Sequence, residues 1–216
     1  MTIIQTTGGL AVTNSFLVVD DATKKAVIFD APDHTVGPLL EKARAEGWDV
    51  IGLWLTHGHF DHVADHAEVT RAFPAAKVLI HPLDEPKLRQ PNTRFFQLPF
   101  VIPSQAPDAL IEDGQELTLG NLKVKVIHTP GHAPGHVMFY FPEENALIGG
   151  DLIIMGAVGR TDLPDSDPDA LNASIRKVMK LPPETRLFPG HGHPGTLREE
   201  LETNPYVQAA MEEEMP

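Results

Sequence analysis

Four potential metal donors crowd into six residues at His57-Gly58-His59-Phe60-Asp61-His62, directly after the short apolar run Ile51 to Leu55. A divalent transition ion needs imidazole nitrogens and carboxylate oxygens to converge on it at about 2.0–2.2 Å. A strand that ends in His-Gly-His can aim two imidazoles at one point, and Asp61 and His62 then face elsewhere, which suits a second ion. The chain must therefore fold so that one strand end opens into a buried polar site. Solvated loop histidines with Asp61 as a helix N-cap are the plainer explanation, but the hexad has companions. His132 stands in Thr129-Pro130-Gly131-His132, Asp151 follows Ile148-Gly149-Gly150, and His191 lies in Phe188-Pro189-Gly190-His191-Gly192. Each comes after a strand-like run and a glycine, a context that presents a side chain at a sheet edge.

Composition narrows the donor chemistry. The chain has no cysteine, so disulfides and thiolate ligands are excluded and any ion must be held by His and carboxylates. A net charge of -13 repels phosphate backbones and argues against a nucleic-acid partner. Met1 to Gly9 lacks a basic segment followed by an apolar one, and no apolar run approaches the roughly 18 residues of a membrane span. These features predict a cytoplasmic protein without membrane contact. Its 216 residues suit one well-cored domain.

The apolar pattern predicts mixed strands and helices. Asn14 to Asp20 and Ala26 to Asp30 read as a hairpin, and Val36 to Glu46 as a helix capped by Asp33 or Thr35 and stopped by Gly47. One helix is expected from His62 to Phe73, then a strand from Lys77 to Ile80. Pro82 to Pro107 reads as a helix followed by a long loop; its Pro91 to Pro107 part, with Phe95, Phe96 and Phe100, is expected to wall the substrate pocket. Two further hairpins pair Glu116–Leu119 with Leu122–His128, and Val137–Phe141 with Ala146–Gly149. A helix from Pro168 to Lys180, a strand from Arg186 to Phe188 and a last helix from Leu197 complete a layered α/β pattern.

The hexad, the later Pro-Gly-His, the Asp after a strand and the final Pro-Gly-His-Gly resemble, in order and spacing, the metallo-β-lactamase fold superfamily. The likeness extends over nearly the whole chain. It is closest to the glyoxalase II-like, single-domain branch, on Thr56 to His62, Gly159-Arg160-Thr161-Asp162-Leu163-Pro164 and Thr203-Asn204-Pro205-Tyr206. The resemblance implies an αββα four-layer sandwich over residues 1–216, without the C-terminal helical domain of full-length glyoxalase II. It assigns His57, His59 and His132 to a first ion, Asp61, His62 and His191 to a second, and Asp151 to both. Two divalent ions are implied, zinc first, with iron or manganese as alternatives. They would share a water acidified to about pKa 7, whose hydroxide attacks an activated acyl carbonyl. The expected substrate is a small-molecule thioester of the S-lactoylglutathione type, with Asp61 and Asp151 as catalytic residues.

The resemblance has departures. The Lys- and Tyr-bearing glutathione segment of the family is replaced here by Gly159-Arg160-Thr161-Asp162, where Arg160 either holds a substrate carboxylate or pairs with Asp162. Related persulfide dioxygenases share that segment, and on that reading a single iron would be held by His59, His132 and Asp151. A lactonase and a non-catalytic metal-binding scaffold are the remaining alternatives. Among the other histidines, His34, His81 and His193 are expected to be structural or solvated and His66 to pack. His128 and His136, like Asp30, are candidates to orient the ligands.

Overall fold

The protein is described here by a computed structural model covering residues 1–91 and 97–212. Strands β1 (Thr2–Gly8), β2 (Thr13–Val19), β3 (Lys25–Phe29), β4 (Asp49–Trp54), β5 (Lys77–Ile80) and β6 (Ala109–Leu110) form one sheet in that order. The second sheet is built from β7 (Glu116–Leu119), β8 (Leu122–His128), β9 (Val137–Phe141), β10 (Ala146–Gly150), β13 (Arg186–Pro189) and β14 (Gly195–Thr196). A small hairpin, β11 (Ile153–Ile154) and β12 (Ala157–Val158), lies between β10 and β13 in the chain.

Period-two alternation in the central strands creates the layers. In β2, Phe16 and Val18 enter the cluster between the sheets, while Leu17 and Val19 face outward. The second sheet mirrors this in β9: Val137, Phe139 and Phe141 face the first sheet, and Met138 and Tyr140 face away. Helices cover both outer faces. On the first sheet, α1 (Gly37–Glu46) buries Leu39, Leu40 and Ala43, joined by Val69 of α3 (His66–Ala72) and Leu88 of α4 (Glu85–Arg89). On the second, α5 (Pro168–Val178) contributes Leu171, Ile175 and Val178, and α7 (Pro205–Glu212) contributes Val207 and Ala210. Three apolar interfaces between four layers make the αββα sandwich that the resemblance implies.

Several local expectations need correction. Neither Asp33 nor Thr35 caps α1: the Asp33 carboxylate accepts from Leu10 N–H, and the Thr35 hydroxyl donates to the Asp33 carbonyl. The helix expected over 62–73 is two, α2 (Phe60–Val63) and α3, and Asp61 lies inside the first rather than capping it. Ala31 causes the break. Its N–H donates to the His62 carbonyl at 2.7 Å and its carbonyl accepts from Asp65 N–H at 2.8 Å, so two groups leave the helical ladder. The last helix divides into α6 (Leu197–Thr203) and α7 at Pro205, which has no N–H to continue it. Asn204 joins the two pieces, accepting from Tyr206 N–H and donating to the Ala157 carbonyl at 2.8 Å. Strand β1 was not anticipated; it lies at a sheet edge and is only half-buried, so its apolar signal is weak. Among the described residues, no helix is long and apolar enough to cross a membrane.

Candidate metal centre

Strand direction brings the donors together. β3 and β4 are parallel, and β2 runs antiparallel to β3, so the start of β2 lies at the end of β4. In the second sheet β10 parallels β13, and two antiparallel steps align β8 with β10. The C-terminal ends of β4, β8, β10 and β13 therefore open on one edge. From them come His57, His59, Asp61 and His62, then His132, Asp151 and His191. Three groups of donor atoms converge there, each within 4.8 Å: His57, His59 and His132; His57, His62 and Asp151; and Asp61, His62 and His191.

Hydrogen bonds on the far side of each imidazole fix which nitrogen faces inward. The Thr56 hydroxyl spends its only proton on Asp30 Oδ2 at 2.8 Å, so His57 Nδ1, 3.0 Å from that hydroxyl, must donate to it. His57 Nε2 is then a bare lone pair. His132 Nδ1 likewise donates to the Arg160 carbonyl at 2.9 Å, and His62 Nδ1 to the Asp30 carboxylate at 2.8 Å. At the centre His59 Nδ1 lies 3.1 Å from His57 Nε2 and 2.9 Å from His132 Nε2. Lone pairs at such separations repel unless a cation or proton lies among them. His62 Nε2 and Asp151 Oδ1 are buried, face each other at 3.3 Å and have no hydrogen-bond partner. Buried polar groups are rarely left so, and the donor set suits a divalent ion.

Asp151 stands between the two halves, its Oδ2 3.1 Å from His191 Nε2 and 3.6 Å from His132 Nε2. Asp61 Oδ2 is 3.5 Å from both His62 Nε2 and His191 Nε2. Burial, reinforced by neighbouring imidazoles, holds His57 well below the usual histidine range and His59 at about 4. Burial also opposes charge on His62 and His191, but the facing Asp151 and Asp61 carboxylates outweigh it. His62 is raised well above its usual value and His191 to about 10. Burial would raise both carboxyls, yet His62 and His191 prevail, taking Asp61 down to about 2 and Asp151 well below the usual carboxylate range.

Of the supporting candidates, Asp30 contacts both Thr56 and His62, from a backbone φ of 57°. His136 accepts from Asp151 N–H through Nε2 at 2.9 Å. His128 instead stacks on His81, with ring centroids 4.2 Å apart, and reaches the Pro134 carbonyl. His66 is buried against Val63, while His34 and His193 are exposed. Sequence reasoning missed Thr13 and Asp84. Thr13, at the start of β2, donates its hydroxyl to Asp61 Oδ2 at 2.8 Å, and the adjacent Asn14 amide donates to the Pro189 and Gly192 carbonyls around His191.

A cavity of about 290 Å³ opens on the donors. Among the described residues its remaining walls are Ala11, Phe60, Arg160 and Leu163. Of the segment Pro91 to Pro107, expected to form one wall, no described residue lines this cavity. Phe100, Val101 and Pro103 line a different hollow with Asp33 and Arg71, and Phe95 and Phe96 lie outside the described residues. Arg160 reaches the cavity wall while its guanidinium makes a two-pronged contact with Asp162, at 2.6 and 2.8 Å.

Comparison with known proteins agrees with this layout. The Metallo-beta-lactamase superfamily model matches residues 8–191, ending on the last of the converging histidines. The hydroxyacylglutathione hydrolase GloC of Haemophilus influenzae is 32% identical over 206 residues, covering 91% of this chain and 93% of that protein. Among solved structures, BLEG-1 B3 metallo-beta-lactamase is similar with a TM-score of 0.88 at 32% identity, over 95% of this chain and 99% of that one. TTHA1623 in a di-iron-bound form gives 0.84 at 39% identity, over 94% and 99%.

Proposed function

The chain belongs to the metallo-β-lactamase superfamily, and from that premise we propose that it hydrolyses a thioester of the hydroxyacylglutathione type at a centre of two divalent ions. The convergence of buried imidazole nitrogens and carboxylate oxygens, with His62 Nε2 and Asp151 Oδ1 making no hydrogen bond, carries this reading. His57, His59 and His132 would hold one ion, Asp61, His62 and His191 the other, and Asp151 would serve both. Bound there, divalent ions supply a water acidified toward neutral pH and a Lewis acid for the carbonyl.

The chain's own groups do the rest. Asp61 at about 2 is ionised throughout the neutral range, so it accepts hydrogen bonds and orients water rather than storing a proton. Ala11, Phe60 and Leu163 give the cavity apolar walls beside the donors. Arg160 brings the cavity's one Lys or Arg side chain among the described residues, suited to a substrate carboxylate. The thioester itself is supported by the relative named as a hydroxyacylglutathione hydrolase. Zinc is our first choice of metal, and the di-iron relative makes iron its rival. The absence of cysteine fits a cytoplasmic setting.

A single-iron dioxygenase draws less support, because every position of a two-ion donor set is filled and the side chains converge. Hydrolysis of S-lactoylglutathione, with metals counted on the same sample, tests the proposal. Turnover with close to two ions per chain is the expected result. No turnover, with one iron per chain and oxygen consumption on glutathione persulfide, would replace it with the dioxygenase.

A further inference from the structure

Asp84 is fully buried and stands directly before α4, where a carboxylate would ordinarily cap its own helix. It makes no such bond. Its Oδ2 accepts from Gly58 N–H at 2.7 Å, and its Oδ1 from Gly135 N–H at 2.9 Å and from Lys87 Nζ at 3.0 Å. Gly58 lies between His57 and His59, and Gly135 closes the turn that carries His132. One carboxylate thus ties together the two loops that supply the all-histidine half of the centre.

Both glycines are demanded by this seat. A Cβ on Gly58 would come within 2.7 Å of Lys87 Cβ and 3.0 Å of the Asp84 carbonyl. On Gly135 it would meet the Asp84 backbone nitrogen at 2.7 Å and Cβ at 2.8 Å. The loops are held against α4 at backbone contact, and the carboxylate uses both oxygens to keep them there. Lys87, also 2.8 Å from Asp165 Oδ2, balances the buried charge.

We propose that Asp84 is a positioning residue that sets the spacing of His57, His59 and His132 and so the affinity of that half for its ion, without touching the other half. No donor of the Asp61, His62 and His191 group bonds to Asp84; those residues are held by Thr13, Asn14 and Asp30. Asn at position 84 would keep one acceptor but turn an amide N–H₂ toward the second glycine N–H. The inference rests on the ligand assignment made above.

The test compares zinc affinity, by competition with a chromophoric chelator, in proteins reduced to one half. In a His191→Ala background only the all-histidine half remains, and adding Asp84→Asn should weaken the remaining ion roughly 10–100-fold, the usual effect of losing a group that orients ligands. In a His59→Ala background the same change should leave the remaining ion's affinity within about twofold. Equal weakening in both backgrounds, or none in either, overturns the inference. Should Asp84→Asn fail to fold, Lys87→Met keeps both amide bonds and is expected to weaken the same ion severalfold, again only in the His191→Ala background; an equal loss in both backgrounds counts against it. Full two-ion binding by the His59→Ala parent would instead sink the ligand assignment, and this inference with it.

Discussion

The two halves of the centre are built from opposite materials. His57, His59 and His132 form a half without a carboxylate, where burial and mutual repulsion keep His57 and His59 neutral. Asp61, His62 and His191 form a half in which imidazole and carboxylate hold each other charged. The first is a set of lone pairs awaiting a cation. The second is already neutralised by its own protons, which an incoming ion must displace. Asp151 faces both, and so couples a site that is ready to one that is not.

Deleting ligands breaks the comparison most severely. His191→Ala should release the ion of the mixed half and leave the other, His59→Ala the reverse, and Asp151→Ala should cost both. In each case thioester hydrolysis should fall about a thousandfold, since the Lewis acid contributes several kcal/mol. Metal analysis of folded variants checks this. Full metal content in His59→Ala or Asp151→Ala would remove the assignment.

Proton competition sharpens it. A histidine raised to about 10, as His191 is by Asp151 and Asp61 against the opposing burial, carries its proton at neutral pH, and His62 does likewise. Lowering the pH strengthens that competition; His59 at about 4 stays open until the solution is far more acid. Zinc affinity of the mixed half should therefore fall about tenfold per pH unit for each proton displaced between pH 8 and 6. His57 and His59, both held low, add no such competition over that range. Calorimetric titrations in buffers of different protonation enthalpy read the protons released by each ion. A steep pH dependence of the tighter ion, with none for the weaker, would reverse the picture.

How much of this could be read from the sequence follows the same division. That these seven side chains would meet was legible because ligand chemistry demands rare residue types, and His-x-His-x-Asp-His places four of them within six residues. The helix end at Gly47 was legible in the same local way, as a φ preference. The residues that hold the donors were not. Thr13 lies 48 positions before Asp61 and Asp84 lies 26 after Gly58; each is one ordinary polar side chain whose partner exists only once strands align. The same reason hid the break between α2 and α3, made by Ala31 from another part of the chain. In the cavity wall, Ala11 and Leu163 come beside the donors through topology alone.

The smallest effect belongs to the rim, where Arg160 serves neither half through its side chain. Its carbonyl fixes His132, but its guanidinium is tied to Asp162, and both side chains are more than half exposed. Such a pair adds little to stability because water screens it, so a substrate carboxylate can displace Asp162 at slight cost. Asp162→Asn should leave the melting temperature and metal content unchanged while lowering the KM for S-lactoylglutathione severalfold at constant kcat. Arg160→Met should raise that KM severalfold, again with both ions retained, because the backbone carbonyl that orients His132 remains. A neutral thioester without a carboxylate should respond to neither change. If both variants instead lower kcat equally for charged and neutral substrates, the 160–162 segment acts by holding His132, and the guanidinium has no part in recognition.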